Sequence, residues 1–410
     1  MGSSGRERRS REPPDSSHRI GRNPLPRFAA GTRERARLRF PSDPGFCYLD
    51  VGNDGCFDAG TDTGPIDASL QAGRFPDPSP PGEDLPTDPG SIVCPPSVTT
   101  LALPFGEKTD WRTAAGSDIL IFGARMLYRS LAGDGQSDDQ IEMRSGRSLY
   151  LGKELMVASR HADPSIAVLL QAEDDVTIDG GVRVIKSCNN PGDCHPVRVV
   201  SVGGDVELGA KTKYFGSEVD ISAAGSVTLE PKVQVKTYTF AGASIDAGGV
   251  LEMTQPKYQT SRLRFWTQGI VVHGTGAFQA SESTLDWDAG FAAVIADALK
   301  LDVEADLSIR GDSIQVGGPA KSKMRTRRPF SEIDLTAPGA ISLSNADLTS
   351  FDILLDTAGT TLTLAESRAK ALQAGSTTTV QTGAGSTCDF TGTQFLGTTL
   401  GHDCGTVIGP

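Results

Sequence analysis

Two pairs of aspartates in this 410-residue chain have the residue types and spacing for acid–base chemistry. Asp174 and Asp175 are adjacent, and Asp286 and Asp288 flank Trp287 at a spacing that places both carboxylates on one face of a strand. Carboxylates roughly 5 to 10 Å apart can act as acid and base on a glycosidic bond. Outward carboxylates are also the ordinary solvated side of a sheet. We therefore treat these four residues as catalytic candidates and favour the non-catalytic interpretation.

An acidic run near the N-terminus is a candidate calcium loop. Asp50, Asp54 and Asp58 recur at a spacing that suits calcium, and Gly55 permits a sharp turn. Asp62 falls one place beyond the twelfth position, and no glutamate supplies a bidentate ligand. The run resembles the Asp-rich loops of dockerin-like and surface-protein repeats. That resemblance implies calcium held by these four aspartates, and the alternative is an acidic turn in a disordered linker.

The scaffold for these residues is predicted by a degenerate repeat of roughly two dozen residues that runs from about residue 176 to the C-terminus. One series of apolar pairs, most of them after a small or acidic residue, is Val176/Ile178, Val206/Leu208, Val227/Leu229, Leu251/Met253, Leu299/Leu301, Ile341/Leu343 and Leu362/Leu364. A second series is Val197/Val199, Val219/Ile221, Ile270/Val272, Ile314/Val316, Ile333/Leu335 and Ile353/Leu355. Two gaps in the first series are about twice the unit, so we expect a blurred copy in each.

Period-two alternation predicts short strands with one buried face. Ala224-Gly225, Gly248-Gly249 and Pro338-Gly339 turn the chain between pairs, and helical spacing does not persist. One coil cannot close a core alone, so the fold class is predicted to be all-β, a parallel β-helix (β-solenoid) with a disordered N-terminal region. Aromatic residues make up only 6%, which fits a narrow aliphatic core. Six residues are expected to point inward: Val206, Leu208, Val227, Leu229, Ile341 and Leu343.

Composition divides the chain into five parts. Residues 1–45 are predicted to be a disordered basic arm, because residues 1–40 hold eleven arginines and little apolar surface. Residues 46–64 contain the calcium-loop candidate, 65–110 a Pro/Asp-rich linker, 111–165 an N-terminal cap or the first coils, and 166–405 the parallel β-helix. Nucleic-acid binding is disfavoured because the arm lacks interleaved aromatics and the whole chain has a net charge of −12. Sequence translated from a misplaced start is an alternative origin for residues 1–40.

The cysteines favour an exported protein. Cys188 and Cys194 bracket a turn-forming insertion, and Cys388 and Cys404 lie in the last coil. Each pair is predicted to form a disulfide with Cα atoms within about 7 Å. The pairing of three further cysteines stays open: Cys47, Cys56 and Cys94. Disulfides predict an extracellular or cell-surface protein, although no signal peptide is visible and no apolar stretch of about 18 residues is present. The alternative is buried, inert thiols.

A family resemblance follows from residues 172–180, Ala-Glu-Asp-Asp-Val-Thr-Ile-Asp-Gly, and the coils after them. They resemble right-handed parallel β-helix proteins of the pectin-lyase-like superfamily, and the looser Gly-Ser-Val-Thr-Leu units resemble haemagglutinin-type surface β-helices. Polygalacturonase-like members carry Asn-Thr-Asp, Asp-Asp, Gly-His-Gly and Arg-x-Lys motifs; here Asp174-Asp175 matches and His273-Gly274 is half a motif. Lyase-like members imply a calcium-binding acidic cluster, to which Asp286 and Asp288 could contribute.

The function favoured by these patterns is a non-catalytic exported or cell-surface β-helix that acts as a structural, adhesin-like or glycan-binding module, with extracellular or cell-surface polysaccharide as its partner. One alternative is a polysaccharide lyase or glycoside hydrolase on the same scaffold. A second alternative is a polymerising scaffold protein. The basic cluster at residues 321–328 is interpreted as a solubilising loop that leaves the coil.

Overall fold

The computed structural model describes residues 47–50, 90–102, 109–130, 140–159, 167–185, 196–216, 218–237, 242–281, 284–359, 361–372 and 375–409, all within one compact unit, Arg39–Pro410. The first strands are β1 (Tyr48–Asp50), β2 (Ser91–Cys94), β3 (Thr100–Ala102), β4 (Thr109–Arg112), β5 (Ile119–Ile121), β6 (Arg125–Ser130), β7 (Gln140–Ser145), β8 (Leu149–Leu151), β9 (Leu155–Ser159), β10 (Ala167–Ala172), β11 (Val176–Ile178), β12 (Val182–Ile185) and β13 (Pro196–Ser201). Next come β14 (Val206–Leu208), β15 (Lys213–Gly216), β16 (Glu218–Ala223), β17 (Val227–Leu229), β18 (Gln234–Thr237), β19 (Gly242–Ala247), β20 (Val250–Thr254), β21 (Lys257–Thr260), β22 (Arg262–Trp266), β23 (Gly269–Ala280), β24 (Leu285–Asp288), β25 (Val294–Val303) and β26 (Leu307–Arg310). The last are β27 (Ile314–Val316), β28 (Ser322–Thr326), β29 (Glu332–Ala337), β30 (Ile341–Ser344), β31 (Ala346–Ser350), β32 (Asp352–Thr357), β33 (Thr361–Ala365), β34 (Arg368–Ala371), β35 (Thr377–Thr382), β36 (Thr387–Asp389), β37 (Gln394–Leu396), β38 (Thr399–His402) and β39 (Thr406–Ile408).

These strands form a parallel β-solenoid with three strands in each turn, so the predicted all-β parallel β-helix is confirmed. The predicted basic arm at residues 1–45 lies outside the described residues. The first face is β2-β5-β8-β11-β14-β17-β20-β23-β25-β27-β30-β33-β36-β39. The second face is β3-β6-β9-β12-β15-β18-β21-β23-β25-β28-β31-β34-β37. The third face is the 13-stranded sheet β4-β7-β10-β13-β16-β19-β22-β24-β26-β29-β32-β35-β38. The long strands β23 and β25 contribute to both the first and the second face.

The predicted inward residues lie where the alternation placed them. On the first face, Val206 pairs with Val227 and Leu208 pairs with Leu229 in parallel register. All four side chains are at most 1% exposed. Ile341 and Leu343 are likewise fully buried. Aliphatic ladders of this kind form because no single turn can shield its apolar side chains from water without its neighbours.

The assignment of some pairs to a series was wrong. Leu299/Leu301 lies on the second face, where Leu301 pairs with Met324. Ile270/Val272 and Ile314/Val316 belong to the first face, in register with Leu251/Met253 and Ile341/Leu343 respectively. The doubled gaps are therefore not blurred copies. The faces were confused because period-two spacing is the same on every face of the coil.

The corner between the first and second faces uses one left-handed residue in most turns. Eight residues there have φ between +46° and +81°: Gly181, Lys211, Lys232, Gln255, Gly274, Asn345, Glu366 and Gly392. A residue in this region bends the chain sharply, and a non-glycine residue there costs roughly 1–2 kcal/mol. This corner was not predicted because five of its eight left-handed residues are not glycine.

Aromatic side chains also enter the core, where mainly aliphatic residues were expected. Trp111 and Trp287 are at most 1% exposed. Phe278 packs edge-on against Trp287 with ring centroids 4.9 Å apart, and Tyr258 stacks on Phe278 at 5.3 Å. The cluster of Tyr258, Phe278 and Trp287 lies where β23 and β25 run continuously across two faces.

The basic cluster is a strand and does not leave the coil as a loop. Strand β28 (Ser322–Thr326) pairs in parallel with β25 and β31 on the second face. Ser322, Met324 and Thr326 are buried, whereas Lys323 and Arg325 point outward. This strand was not predicted because two of its three inward positions carry small polar residues, Ser322 and Thr326, in place of apolar ones.

Both ends of the stack carry a disulfide. Cys388 and Cys404 are bonded with their Cα atoms 5.9 Å apart, which confirms the predicted pair. Cys47 and Cys94 are also bonded, and they join β2 to β1, which pairs with it antiparallel. Cys56, Cys188 and Cys194 lie outside the described residues. Along the described segments, no helix is long and apolar enough to cross a membrane.

Candidate functional site

A hydrogen-bonded series of side chains fixes the corner between the third and first faces. Asp175 Oδ1 accepts a hydrogen bond from the Asp205 backbone N–H at 2.9 Å, one turn and 30 residues later. Asp205 Oδ1 accepts from Ser226 N at 2.6 Å, after 21 residues, and Ser226 Oγ accepts from Val250 N at 3.2 Å, after 24. Each side chain thus caps the start of the next turn, which explains the small or acidic residue before three of the apolar pairs, those of β11, β14 and β17.

Glycine precedes two of the three caps, Asp205 and Ser226. A Cβ atom on Gly204 would lie 2.3 Å from Asp175 Oδ1, and one on Gly225 would lie 2.1 Å from Asp205 Oδ1. Real Cβ atoms do not approach oxygen this closely, so the glycines and the caps require one another. Asp175 is therefore a structural residue in this corner.

Asp174 lies beside this corner and is exposed. Its backbone N–H donates to Arg147 O at 2.7 Å, and its carbonyl accepts from Ser201 Oγ. The Arg147 guanidinium is held by Asp118, with Nε 2.7 Å from Oδ1. Those hydrogen bonds are the main cause of the raised pKa of Arg147, to which Asp174 adds a smaller electrostatic effect.

The two aspartate pairs do not meet. Asp174 and Asp175 follow β10, whereas Asp286 and Asp288 lie on β24, which is the fifth strand after β10 in the third face. Five strand spacings of about 4.8 Å separate them by roughly 24 Å. A glycosidic bond needs its two carboxylates within about 10 Å, so the two pairs cannot form one hydrolytic site.

The outward side of β22 and β24 is the strongest candidate binding site. Arg264 lies opposite Asp286, and Trp266 lies opposite Asp288. The Trp266 side chain is 46% exposed, and the Arg264 Cζ atom lies 4.4 Å from its ring centroid. We call Arg264, Trp266, Asp286 and Asp288 the third-face platform.

The platform stands on a rigid base. Phe265 and Trp287, which alternate with its residues, are fully buried and stack at 5.3 Å with an interplanar angle of 26°. Leu263 and Leu285 are also fully buried. Because alternate residues are locked in the core, the outward side chains keep a fixed spacing.

Polar groups surround the tryptophan. Asp288 lies between Trp266 and Arg310 on adjacent strands, and Asp288 Oδ1 accepts from Gly290 N at 2.8 Å. Arg310 Nη2 lies 3.5 Å from Asp334 Oδ2. The platform therefore offers an aromatic face with hydrogen-bond donors and acceptors around it, an arrangement that suits the apolar C–H face and the hydroxyls of a sugar ring.

The platform is poorly arranged for glycoside hydrolysis. Asp286 and Asp288 are two residues apart on one strand, so their Cα atoms are about 7 Å apart, within the range that hydrolysis uses. Both side chains nevertheless project from the same flat surface and approach a bound chain from the same side. An acid and its partner carboxylate must flank the bond that breaks.

The half motif His273-Gly274 lies on a different face. His273 Nε2 is 3.0 Å from Glu252 Oε1, and Gly274 N donates to Asp297 Oδ2 at 2.7 Å. These residues border a register shift in β23 on the first face. In the part of the chain that the structure describes, no three His, Cys, Asp or Glu residues are grouped to hold a metal ion.

The calcium-loop candidate is only partly described. Asp50 is the last residue of β1 and is 1% exposed. Asp54, Asp58 and Asp62 lie outside the described residues, so the loop stays a prediction.

The strand pattern predicts Asp286 and Asp288 as site residues, whereas Arg264 and Trp266 were not predicted. The signal was present, because Arg262, Leu263, Arg264, Phe265 and Trp266 alternate between polar and apolar positions except for the last residue. A tryptophan at an outward position interrupts the polar–apolar alternation of a strand. This interruption indicates that the tryptophan side chain lies on the surface.

Comparison with known proteins gives no relatives. No family model matches the chain, no curated protein matches it, and no solved structure matches it. The conclusions about its function therefore depend on its own residues.

Proposed function

We propose that this chain is an exported, non-catalytic β-solenoid that binds polysaccharide at the third-face platform. The observation that carries the proposal is Trp266, which is exposed on a flat sheet while Arg264 covers one side of its ring. Disulfides at both ends of the stack support export, because such bonds persist in oxidising compartments.

The charge of the platform favours a neutral polysaccharide over an anionic one. Asp286 and Asp288 face Arg264 and Arg310, so the local charges balance, while the whole chain carries −12. Long-range repulsion therefore opposes pectin or alginate, and a neutral chain binds without that penalty.

Intrinsic fluorescence can test the proposal directly. The three tryptophans are Trp111, Trp266 and Trp287, and only Trp266 is exposed. Titration with soluble xyloglucan, glucomannan or mixed-linkage β-glucan should protect this residue from acrylamide quenching. Trp266→Ala should abolish binding, whereas Phe330→Ala, at a side chain that is 82% exposed on the turn before β29, should leave binding unchanged.

The enzyme alternative makes the opposite prediction. Release of reducing ends or unsaturated products from these glucans, pectin or alginate, lost in Asp286→Asn or Asp288→Asn, would establish catalysis and overturn the proposal. The absence of binding to every neutral glucan, with the fold intact by circular dichroism, would remove the glycan-binding function.

A further inference from the structure

An exposed phenylalanine with a strained backbone marks a second site, independent of the platform. Phe330 is 82% exposed and has φ = +63°. It follows Pro329 in the turn from Arg328 to Ser331, at the position where such turns usually place glycine. Glycine would adopt this conformation without strain, yet the position carries an aromatic ring that is exposed to solvent. An exposed ring kept at a strained position points to a role outside the fold.

The ring is held in place by its neighbours. Phe330 packs against Phe351 from the next turn with ring centroids 5.0 Å apart and an angle of 56°. Ser331 is buried, and its Oγ atom donates to Arg328 O at 2.7 Å. Asp352 N donates to Ser331 O at 3.1 Å, which ties the two turns together. We call Phe330 and Phe351 the corner pair.

A row of carboxylates begins next to the corner pair. Asp306, Glu332 and Asp352 occupy equivalent positions on three successive turns at the start of the third face. Like charges in direct register repel one another. The pKa of Glu332 is raised by partial burial and then by Asp334, Asp352 and Asp306.

Nearby arginines do not neutralise this row. Arg327 Nε binds Asp302 Oδ1 at 2.7 Å, and Arg328 Nε lies 3.6 Å from Glu304 Oε1. None of Asp306, Glu332 and Asp352 forms an ion pair within the described ranges. Asp306 Oδ1 accepts from Glu332 N and Asp352 Oδ1 accepts from Thr377 N, each at 3.0 Å, so these two carboxylates also cap the next turn. Their negative charge beside the aromatic pair is not neutralised by a described cation of the chain and can attract an external one.

We propose that the corner pair and the carboxylate row form a binding site for an organic cation, a protonated or quaternary alkylamine. A cation over an aromatic face is attracted by the ring quadrupole, and the carboxylates supply the opposing charge. The same chemistry occurs in a lysine side chain of a partner and in a free amine. The site lies on β29 and β32, third and fourth along the sheet after β22, and does not involve Trp266.

Calorimetric titration of the full chain with choline and with a tri-lysine peptide tests this site. Binding of either probe supports the site. Tighter binding of the peptide indicates that the natural cation is a lysine side chain of a partner protein. Tighter binding of choline indicates that it is a free amine. Phe330→Gly and Phe351→Ala should each weaken binding on the order of tenfold, and the control Phe291→Gly should not. Failure of both probes to bind would overturn the proposal.

Stability separates a ligand site from a structural role. Phe330→Gly should raise the thermal midpoint, because glycine adopts the left-handed conformation without strain, while it abolishes binding. Loss of binding together with a lower midpoint, or binding that survives both aromatic substitutions, would contradict the inference. The outcome is independent of the glycan titration, because Trp266 is intact in every variant.

Discussion

At the residue scale, aspartate has two roles in this protein: it stabilises the corners of the fold, and it lies in the candidate binding site. Asp175 and Asp205 cap backbone N–H groups of the next turn, whereas Asp286 and Asp288 face outward beside Trp266. The difference lies in the hydrogen-bond partner. Asp175 and Asp205 accept from the next turn, whereas Asp288, at the end of β24, accepts from Gly290 N in its own turn. The Asp-Asp motif alone could not separate these roles.

The coupling between cap and glycine is testable by a double-mutant cycle. Gly225→Ala should cost about 1–3 kcal/mol of unfolding free energy, because its Cβ would lie 2.1 Å from Asp205 Oδ1. Asp205→Ala should cost about 1 kcal/mol through the lost hydrogen bond to Ser226 N. The double variant should lose less unfolding free energy than the two single variants lose together. Urea denaturation measures the unfolding free energy of all three. Gly401→Ala, with nothing within 4 Å, is the neutral control.

At the scale of elements, the strands were predictable and the corners were not. Alternation identified Val206/Leu208 and Val227/Leu229 as inward pairs, because a buried strand face needs apolar residues at period two. Left-handed corners such as Lys211 and Lys232 carry no residue signal. Their conformation is imposed by the strands on either side, which is a tertiary effect absent from local sequence.

The difference between corner and strand predicts that a lysine-to-glycine substitution has opposite effects on stability at the two kinds of position. Lys232→Gly should stabilise the protein by about 0.5–1 kcal/mol, because relief of left-handed strain exceeds the entropy cost of glycine. Lys213→Gly, in strand β15, should destabilise it by a similar amount. Chemical denaturation measures both. Equal destabilisation by the two substitutions would show that the corner stores no strain.

The candidate site was predictable only in part. Asp286 and Asp288 followed from strand alternation, and the structure places both on the third face. Their association with Arg264 depends on register between strands separated in sequence by a full turn. Turn lengths vary, as the steps of 30, 21 and 24 residues at one corner show, so register could not be counted from the sequence.

At the scale of the whole molecule, each turn contacts only the turns before and after it. Stability in such a stack is a sum of local terms, and the ends are its weakest points. The disulfides Cys47–Cys94 and Cys388–Cys404 lie at those two ends. They secure turns that have a neighbour on only one side.

Removal of one disulfide should therefore act locally. Cys388→Ser/Cys404→Ser opens a 16-residue separation and should destabilise the last turns by about 3 kcal/mol. Hydrogen exchange should accelerate in β36–β39 and stay unchanged in β14–β17. The matched variant Cys47→Ser/Cys94→Ser should leave β36–β39 protected. A uniform loss of protection along the stack would show that the solenoid unfolds as one unit.

The corner caps also have an evolutionary consequence. The three caps at Asp175, Asp205 and Ser226 join one turn to the next through an equivalent backbone N–H, so these turns meet through the same contact. Duplication or deletion of the 21-residue segment between Asp205 and Ser226 would change the stack by one rung of about 4.8 Å and preserve the remainder. Unequal recombination can thus adjust the length of this protein in fixed increments, while the platform and the corner pair each keep their own local geometry.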